Sequence, residues 1–250
     1  MYTINLKQEI TSIAEFLKKT FEKTGKKNAV LAWSGGIDST TSLFLLAKAL
    51  PIKNITVLHL PFETSHEEEF ADIAEMLTIS PSQFHTVSIR HMVETTKANL
   101  NVEDPIRLGN VMARMRMIVI YDCAKKLDAL VCGTENKTEE LLGYFTRFGD
   151  AASDIEPIRH LYKAQVYALA NELGVPKTFI RRSPSAELWE GQTDEGEFGF
   201  TYAEADEILF RYFEQKMSIK EIEQTGFKNA EKIIALVKRN AFKHEVPYSL

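Results

Sequence analysis

Residues 29–50, A-V-L-A-W-S-G-G-I-D-S-T-T-S-L-F-L-L-A-K-A-L, constrain this chain more than any other stretch. An apolar run, Ala29 to Trp33, stops at a polar turn, Ser34-Gly35-Gly36, with an acid at Asp38 and hydroxyls at Ser39 and Thr40. An apolar stretch with helical character, Thr41 to Leu50, follows. The pattern reads as strand, glycine loop, helix. Adjacent glycines let backbone N–H groups turn towards an anion with no Cβ in the way. A helix N-terminus behind them adds partial positive charge. Gly-Gly alone favours a βα turn that needs glycine for packing, but Ser34, Asp38 and Ser39 around it reverse the reading to phosphate, with Asp38 placed to hold a metal. The loop is not a Walker A sequence, because G-x-x-x-x-G-K-[ST] occurs nowhere in the chain.

The alternation continues on both sides. Asn5 to Thr24 has helix spacing and stops at Gly25; Ile55 to Leu60 predicts a second strand that leaves through Pro61-Phe62-Glu63-Thr64. Glu67 to Leu77 predicts a helix and Phe84 to Ile89 a third strand. Ile106 to Leu127 is a long amphipathic stretch whose first turns Gly109-Asn110 should interrupt, and Ala129 to Gly133 predicts a fourth strand. The expected class is α/β, a Rossmann-like doubly wound parallel sheet with helices on both faces. In such a sheet ligands gather at the carboxyl ends of the strands, so Ser34 to Ser39 and Thr134 to Glu139 should share one edge. Leu161 to Leu173 reads as a helix closed by Gly174, and Pro184 to Gly199 as a long lid-like loop. Ala203 to Lys216, Ile219 to Gln224 and Ala230 to Phe242 read as helices. No repeat or Pro/Gly/Ser-rich linker divides the chain, so residues 1–250 are expected to form one domain.

A net charge of −5 gives no general basis for nucleic-acid binding. No apolar run reaches the ~20 residues of a membrane span, and no signal-peptide pattern opens the chain, so a cytoplasmic location is expected. Cys123 and Cys132 fall in an apolar helix and an apolar strand and read as small buried residues.

S-G-G-x-D-S resembles the pyrophosphate loop of N-type ATP pyrophosphatases, the adenine nucleotide alpha hydrolase-like group. Three further stretches narrow this: Arg107 to Met117 (R-L-G-N-V-M-A-R-M-R-M), Gly133 to Asp150 (G-T-E-N-K-T-E-E-L-L-G-Y-F-T-R-F-G-D) and Ser183 to Tyr202 (S-P-S-A-E-L-W-E-G-Q-T-D-E-G-E-F-G-F-T-Y). Together, in order and spacing, they resemble the ammonia-dependent NAD synthetase family, from about residue 10 to the C-terminus. The resemblance implies a ligase that converts deamido-NAD, ATP and ammonia to NAD, AMP and pyrophosphate through an adenylated intermediate. It places ATP on Ala32, Trp33, Ser34, Gly35, Gly36, Ile37, Asp38 and Ser39, with Thr134, Lys163 and Ser185. It gives Mg2+ to Asp38 and Glu139, and Lys163, also catalytic, binds the phosphates with Ser185 from the far side. It gives deamido-NAD to Arg114, Arg147, Asp154, Phe242 and Lys243, in a site completed by a homodimer.

Several positions depart from the commonest family pattern: Arg147 for Lys, Ala151-Ala152 for Gly-Gly, Ser185 for Thr, and a bulky Trp33 before the loop. Glutamine-using relatives carry an extra amidase domain, for which no segment before Ala29 has room; ammonia is therefore expected as the nitrogen donor. The alternatives are another adenylating amidotransferase of the superfamily, a tRNA-modifying enzyme, or a nucleotide sensor without chemistry. A tRNA enzyme should show a basic surface, and a sensor could lose the acids that this chain keeps.

Overall fold

The computed structural model describes residues 4–62, 67–185, 191 and 193–248. Four strands, β1 (Asn28–Ala32), β2 (Ile55–His59), β3 (Phe84–Thr86) and β4 (Ala129–Cys132), form a sheet of order β3-β2-β1-β4. Every pairing is parallel, with Val30 opposite Thr56 on one side and Val131 on the other. Side chains alternate across β1. Ala29, Leu31 and Trp33 join one core with α1 (Leu6–Thr24) and α2 (Ile37–Ala49), while Val30 joins another with Leu58 and Val131. Both faces are covered, so these strands are continuous apolar runs rather than alternating ones. The expected α/β sheet is the observed one.

α3 (Phe70–Leu77) and α4 (Arg90–Leu100) lead to α5 (Pro105–Leu127), which packs on β1 and β4. Gly109-Asn110 does not interrupt α5. Asp104 caps it by accepting from the Arg107 N–H at 2.7 Å, and Pro105 sits at its start. That start and the buried face, Met112, Ala113, Ile120 and Ala124, outweigh a glycine cost of about 1 kcal/mol. The third strand ends at Thr86, short of Ile89, because it is an edge strand whose residues are mostly exposed. α4 has no counterpart in the sequence reading; Val93 is its one buried residue, which leaves little periodic signal.

Beyond the sheet come α6 (Lys137–Leu142), α7 (Lys163–Leu173), α8 (Lys177–Ile180), α9 (Asp194–Phe198), α10 (Tyr202–Phe213), α11 (Ile219–Gln224) and α12 (Ala230–Asn240). α7 returns to cover α2, and α10 to α12 gather with Leu142 around a separate apolar cluster. The stretch 184–199 is not all loop. Its end winds into α9, capped by Thr193 and anchored by buried Asp194 and Phe198. Residues 186–190 and 192 of that stretch lie outside the described residues, as do Glu63 and Thr64. No helix among the described residues is long and apolar enough to cross a membrane.

Candidate active site

β1 has β2 on one side and β4 on the other, so the chain changes direction across the sheet between β1 and β4. Their carboxyl ends open the crevice where such sheets bind ligands. The loop after β1 is self-braced. Gly35 takes φ +83, a left-handed conformation that glycine adopts without Cβ strain. Ser39 Oγ lies 3.1 Å from Ser34 Oγ and 3.1 Å from the Gly36 carbonyl oxygen. Thr40 Oγ1 donates to the Gly36 carbonyl at 2.8 Å and accepts from Trp33 Nε1 at 3.0 Å. Trp33 is buried against Phe70 and Phe179. Of the eight loop residues among those expected around ATP, Trp33 and Ile37 therefore turn their side chains into the core, because their positions carry the inward face of β1 and α2. Their role is to brace the loop, which leaves only their backbone for a ligand. Ser34 is exposed and Gly36 and Asp38 half-buried.

The turn after β4 comes to the same place. Asn136, fully buried, caps α6 by accepting from the Glu139 N–H at 3.0 Å and donates to Asp38 Oδ1 at 3.0 Å. It was legible as an N-x-x-E cap before a helix, but not as the link to Asp38. Lys163 opens α7, and its ammonium donates to Asp38 Oδ2 at 2.6 Å and Glu139 Oε1 at 2.9 Å. The two carboxylates expected to share an ion are thus gathered on one cation. Its side chain is 3% exposed. Burial pulls the Lys163 ammonium down, but the Asp38 and Glu139 charges more than reverse this, and it stays charged. Burial pushes the Glu139 carboxyl up, against the pull of Lys163.

Magnesium takes few protein carboxylates and completes its shell with water and substrate phosphate. Among the described residues no three acid, histidine or cysteine side chains gather into a self-sufficient cage. A carboxylate pair beside a glycine loop and a helix start is a donor set that suits magnesium arriving with a nucleotide.

Asp206 of α10 fixes the spacing of this trio. Its carboxylate accepts from Thr138 Oγ1 at 2.5 Å and the Ala164 N–H at 2.8 Å, and the Lys163 N–H donates to Thr138 Oγ1 at 2.9 Å. Arg182 donates to the Gly35 carbonyl at 3.0 Å and pairs with Glu69, so a guanidinium covers one side of the loop. Neither residue carried a sequence signal, since Asp206 and Arg182 lie far along the chain from the atoms they meet. Thr134 is half-buried at the end of β4 and Ser185 lies a few residues beyond Arg182.

Behind the β4 turn lies an acid chamber. Glu156 Oε1 accepts from Ser153 Oγ at 2.7 Å and Glu156 Oε2 from the Glu135 N–H at 3.1 Å. Glu135 is 7% exposed and its Oε1 has no hydrogen-bond partner. Burial pushes the Glu135 carboxyl up to about 9 and Glu156 to about 7. Gly133 is required here, since a Cβ on it would come 1.9 Å from Glu156 Oε1 and 2.7 Å from Ser153 Cβ. Gly133→Ala is expected to destabilise the protein by about 2 kcal/mol, since it overpacks the chamber and displaces a bonded carboxyl; an unchanged urea midpoint would contradict this.

The residues expected to bind the second substrate collect around the loop after α6. Arg114 Nη2 donates to the Arg147 carbonyl at 3.2 Å. The Arg147 guanidinium lies over the Phe242 and Phe148 rings, each 5.5 Å from centroid. Lys243 Nζ donates to the carbonyls of Gly143 at 2.7 Å and Phe145 at 2.8 Å. Asp154 stands apart from these and accepts from the Val131 N–H at 2.7 Å.

Comparison with known proteins agrees with this geometry. The family model described as NAD synthase matches residues 9–247. A protein of Trichlorobacter lovleyi named NH(3)-dependent NAD(+) synthetase is 43% identical over 98% of this chain and 90% of its own length. The solved structure of the NMN synthetase from Francisella tularensis is 32% identical, with a TM-score of 0.84 over 99% of both chains. That of the NH3-dependent NAD synthetase from Campylobacter jejuni is 26% identical, with a TM-score of 0.82 over 99% of this chain and 100% of that one.

Proposed function

The chain belongs to the NAD synthase family, and on that premise we propose that it amidates deamido-NAD to NAD with ATP and ammonia, releasing AMP and pyrophosphate. The observation that carries this reading is the Lys163 ammonium seated between Asp38 and Glu139 beside the glycine loop. The nicotinate carboxylate oxygen attacks the α-phosphorus of ATP, and the α–β bridging bond breaks as pyrophosphate leaves. Ammonia then attacks the carbonyl carbon, loses a proton, and AMP departs. The loop amides of Ser34 to Ser39 and the start of α2 supply dipoles for the leaving phosphates. Lys163 and Ser185 bind them from the far side. Asp38 and Glu139 would hold Mg2+, which when bound neutralises charge developing on pyrophosphate. Arg114, Arg147, Asp154, Phe242 and Lys243 receive the dinucleotide, whose phosphates suit a guanidinium and whose rings suit Phe242. Catalysis is positioning and electrostatics, with no covalent attachment to the protein.

The described chain acts as one unit, since α7 and α10 supply residues to the same site as β1 and β4. The outer face of α5 exposes Ile106 (61%) and Ile118 (51%) on the helix that carries Arg114, which supports a second copy covering that face. Soluble substrates and two free cysteines fit a cytoplasmic site of action.

The test incubates the protein with ATP, Mg2+ and ammonium, and with deamido-NAD, nicotinate mononucleotide, or neither. NAD and pyrophosphate in equal amounts, with deamido-NAD preferred, is the expected result. Preference for the mononucleotide would move the substrate towards that implied by the name of the Francisella tularensis protein. Pyrophosphate released only with tRNA, or none at all, would sink the reading.

A further inference from the structure

Asp194 sits outside the machinery described above, yet it is 5% exposed and bonded to two tyrosines. Tyr202 OH lies 2.8 Å from Asp194 Oδ2 and 3.2 Å from Glu139 Oε1. Tyr144 OH lies 2.9 Å from Glu197 Oε2 and 3.2 Å from Asp194 Oδ1. The order in space is Glu139, Tyr202, Asp194, Tyr144, Glu197, with carboxyl and phenol alternating. A phenol carries one proton, so it donates to one carboxylate at a time. Two hydroxyl protons therefore serve three carboxylates. Phenols ionise only at about pH 10, so both keep those protons at neutral pH.

Two arrangements satisfy the chain. In the first, matching the shorter distances, Tyr202 donates to Asp194 and Tyr144 to Glu197, and both bonds hold α9. In the second, Tyr202 donates to Glu139 and Tyr144 to Asp194, and Glu197 loses its phenol donor. A cation seated on Glu139 occupies that carboxylate's lone pairs and repels a third donor. It selects the first arrangement.

We propose that Tyr202 and Asp194 are positioning residues that couple the cation site at Glu139 to α9 through this chain of single protons. Filling the site thereby tightens the hold on the end of the 184–199 stretch. The proposal rests on the reading that Glu139 is a metal ligand.

The test uses the full chain with α,β-methylene-ATP, and with Mn2+ as the spectroscopically visible metal. Relative to the analogue alone, Mn2+ is expected to slow amide exchange across residues 195–199 about fivefold, the factor given by one hydrogen bond of about 1 kcal/mol. Tyr202→Phe keeps the ring that lies 4.8 Å from Lys163 Nζ and removes only the hydroxyl. It is expected to bind Mn2+ and lose the slowing, whereas Tyr144→Phe leaves the Tyr202 hydroxyl free to move from Glu139 to Asp194 and is expected to keep it. Slowing of wild-type size in Tyr202→Phe overturns the chain and leaves the metal reading intact. Mn2+ binding that is equal in the wild type and Asp38→Ala removes the metal reading, and the proposal with it.

Discussion

Asp38→Ala is expected to lower NAD formation at least ~10³-fold at saturating Mg2+, a loss of about 4 kcal/mol of transition-state stabilisation. The side chain does three things at once. It accepts from Lys163 at 2.6 Å, accepts from Asn136 at 3.0 Å, and stands in the first turn of α2 beside the phosphate loop. Its loss removes one of the two proposed metal oxygens. The fold should survive, because Lys163 keeps Glu139 at 2.9 Å and a one-to-one ion pair remains; the stability cost is expected to be about 1–2 kcal/mol. Lys163→Met is less clean, because it strands two part-buried carboxylates without their cation, which costs about 3–5 kcal/mol. Steady-state kinetics against Mg2+ at matched folded fraction decides the matter. Near-normal turnover by Asp38→Ala would refute the metal assignment.

The second large effect is on stability at alkaline pH. Glu135 and Glu156 are raised from 4.5 to about 9 and about 7 because burial disfavours their charged forms. Between pH 4.5 and those values the folded protein holds protons that the unfolded chain has released. Stability therefore falls as pH rises, by at most ~1.4 kcal/mol per pH unit for each such proton. Between pH 7 and 9 Glu135 alone gives up to ~2.7 kcal/mol of loss. The loss is complete once pH passes the folded value. Lys243, pushed down by burial, titrates in the opposite sense, so the total curve is not Glu135 alone. Glu135→Gln isolates it: the urea midpoint of that variant should decline less from pH 7 to 9 than that of the wild type. Parallel declines would show that Glu135 is ionised in the folded protein.

Several local features are legible in the sequence, although Gly109-Asn110 does not break α5 as its residue types suggest. The strand, the Gly-Gly turn and the helix after it are adjacent in the chain and follow from their own residues. Leu6–Thr24 ending at a left-handed Gly25, and Lys163–Leu173 ending at Gly174, follow from spacing and a C-terminal glycine. Where local signal is thin the reading is incomplete: α4, which buries one residue, has no counterpart, the edge strand β3 stops short of Ile89, and α9 is a single short helix in a glycine-bearing stretch. The motif places Trp33 beside ATP, and the packing of Phe70 and Phe179 turns its side chain inward and leaves its backbone for a ligand.

The sequence by itself determined the class of fold, the glycine loop between β1 and α2 and the residue types that meet at its edge, because backbone conformation and hydrophobic period are written within a few neighbouring residues. The tertiary structure alone decided which charges touch. Lys163 reaches Asp38 across 125 residues of chain, Arg182 reaches Gly35 across 147, and Tyr202 reaches Glu139 across 63. Such pairings have no local pattern. They exist because a parallel sheet brings the carboxyl ends of distant strands to one edge, and burial there leaves each polar group to be satisfied by whichever partner the packing supplies.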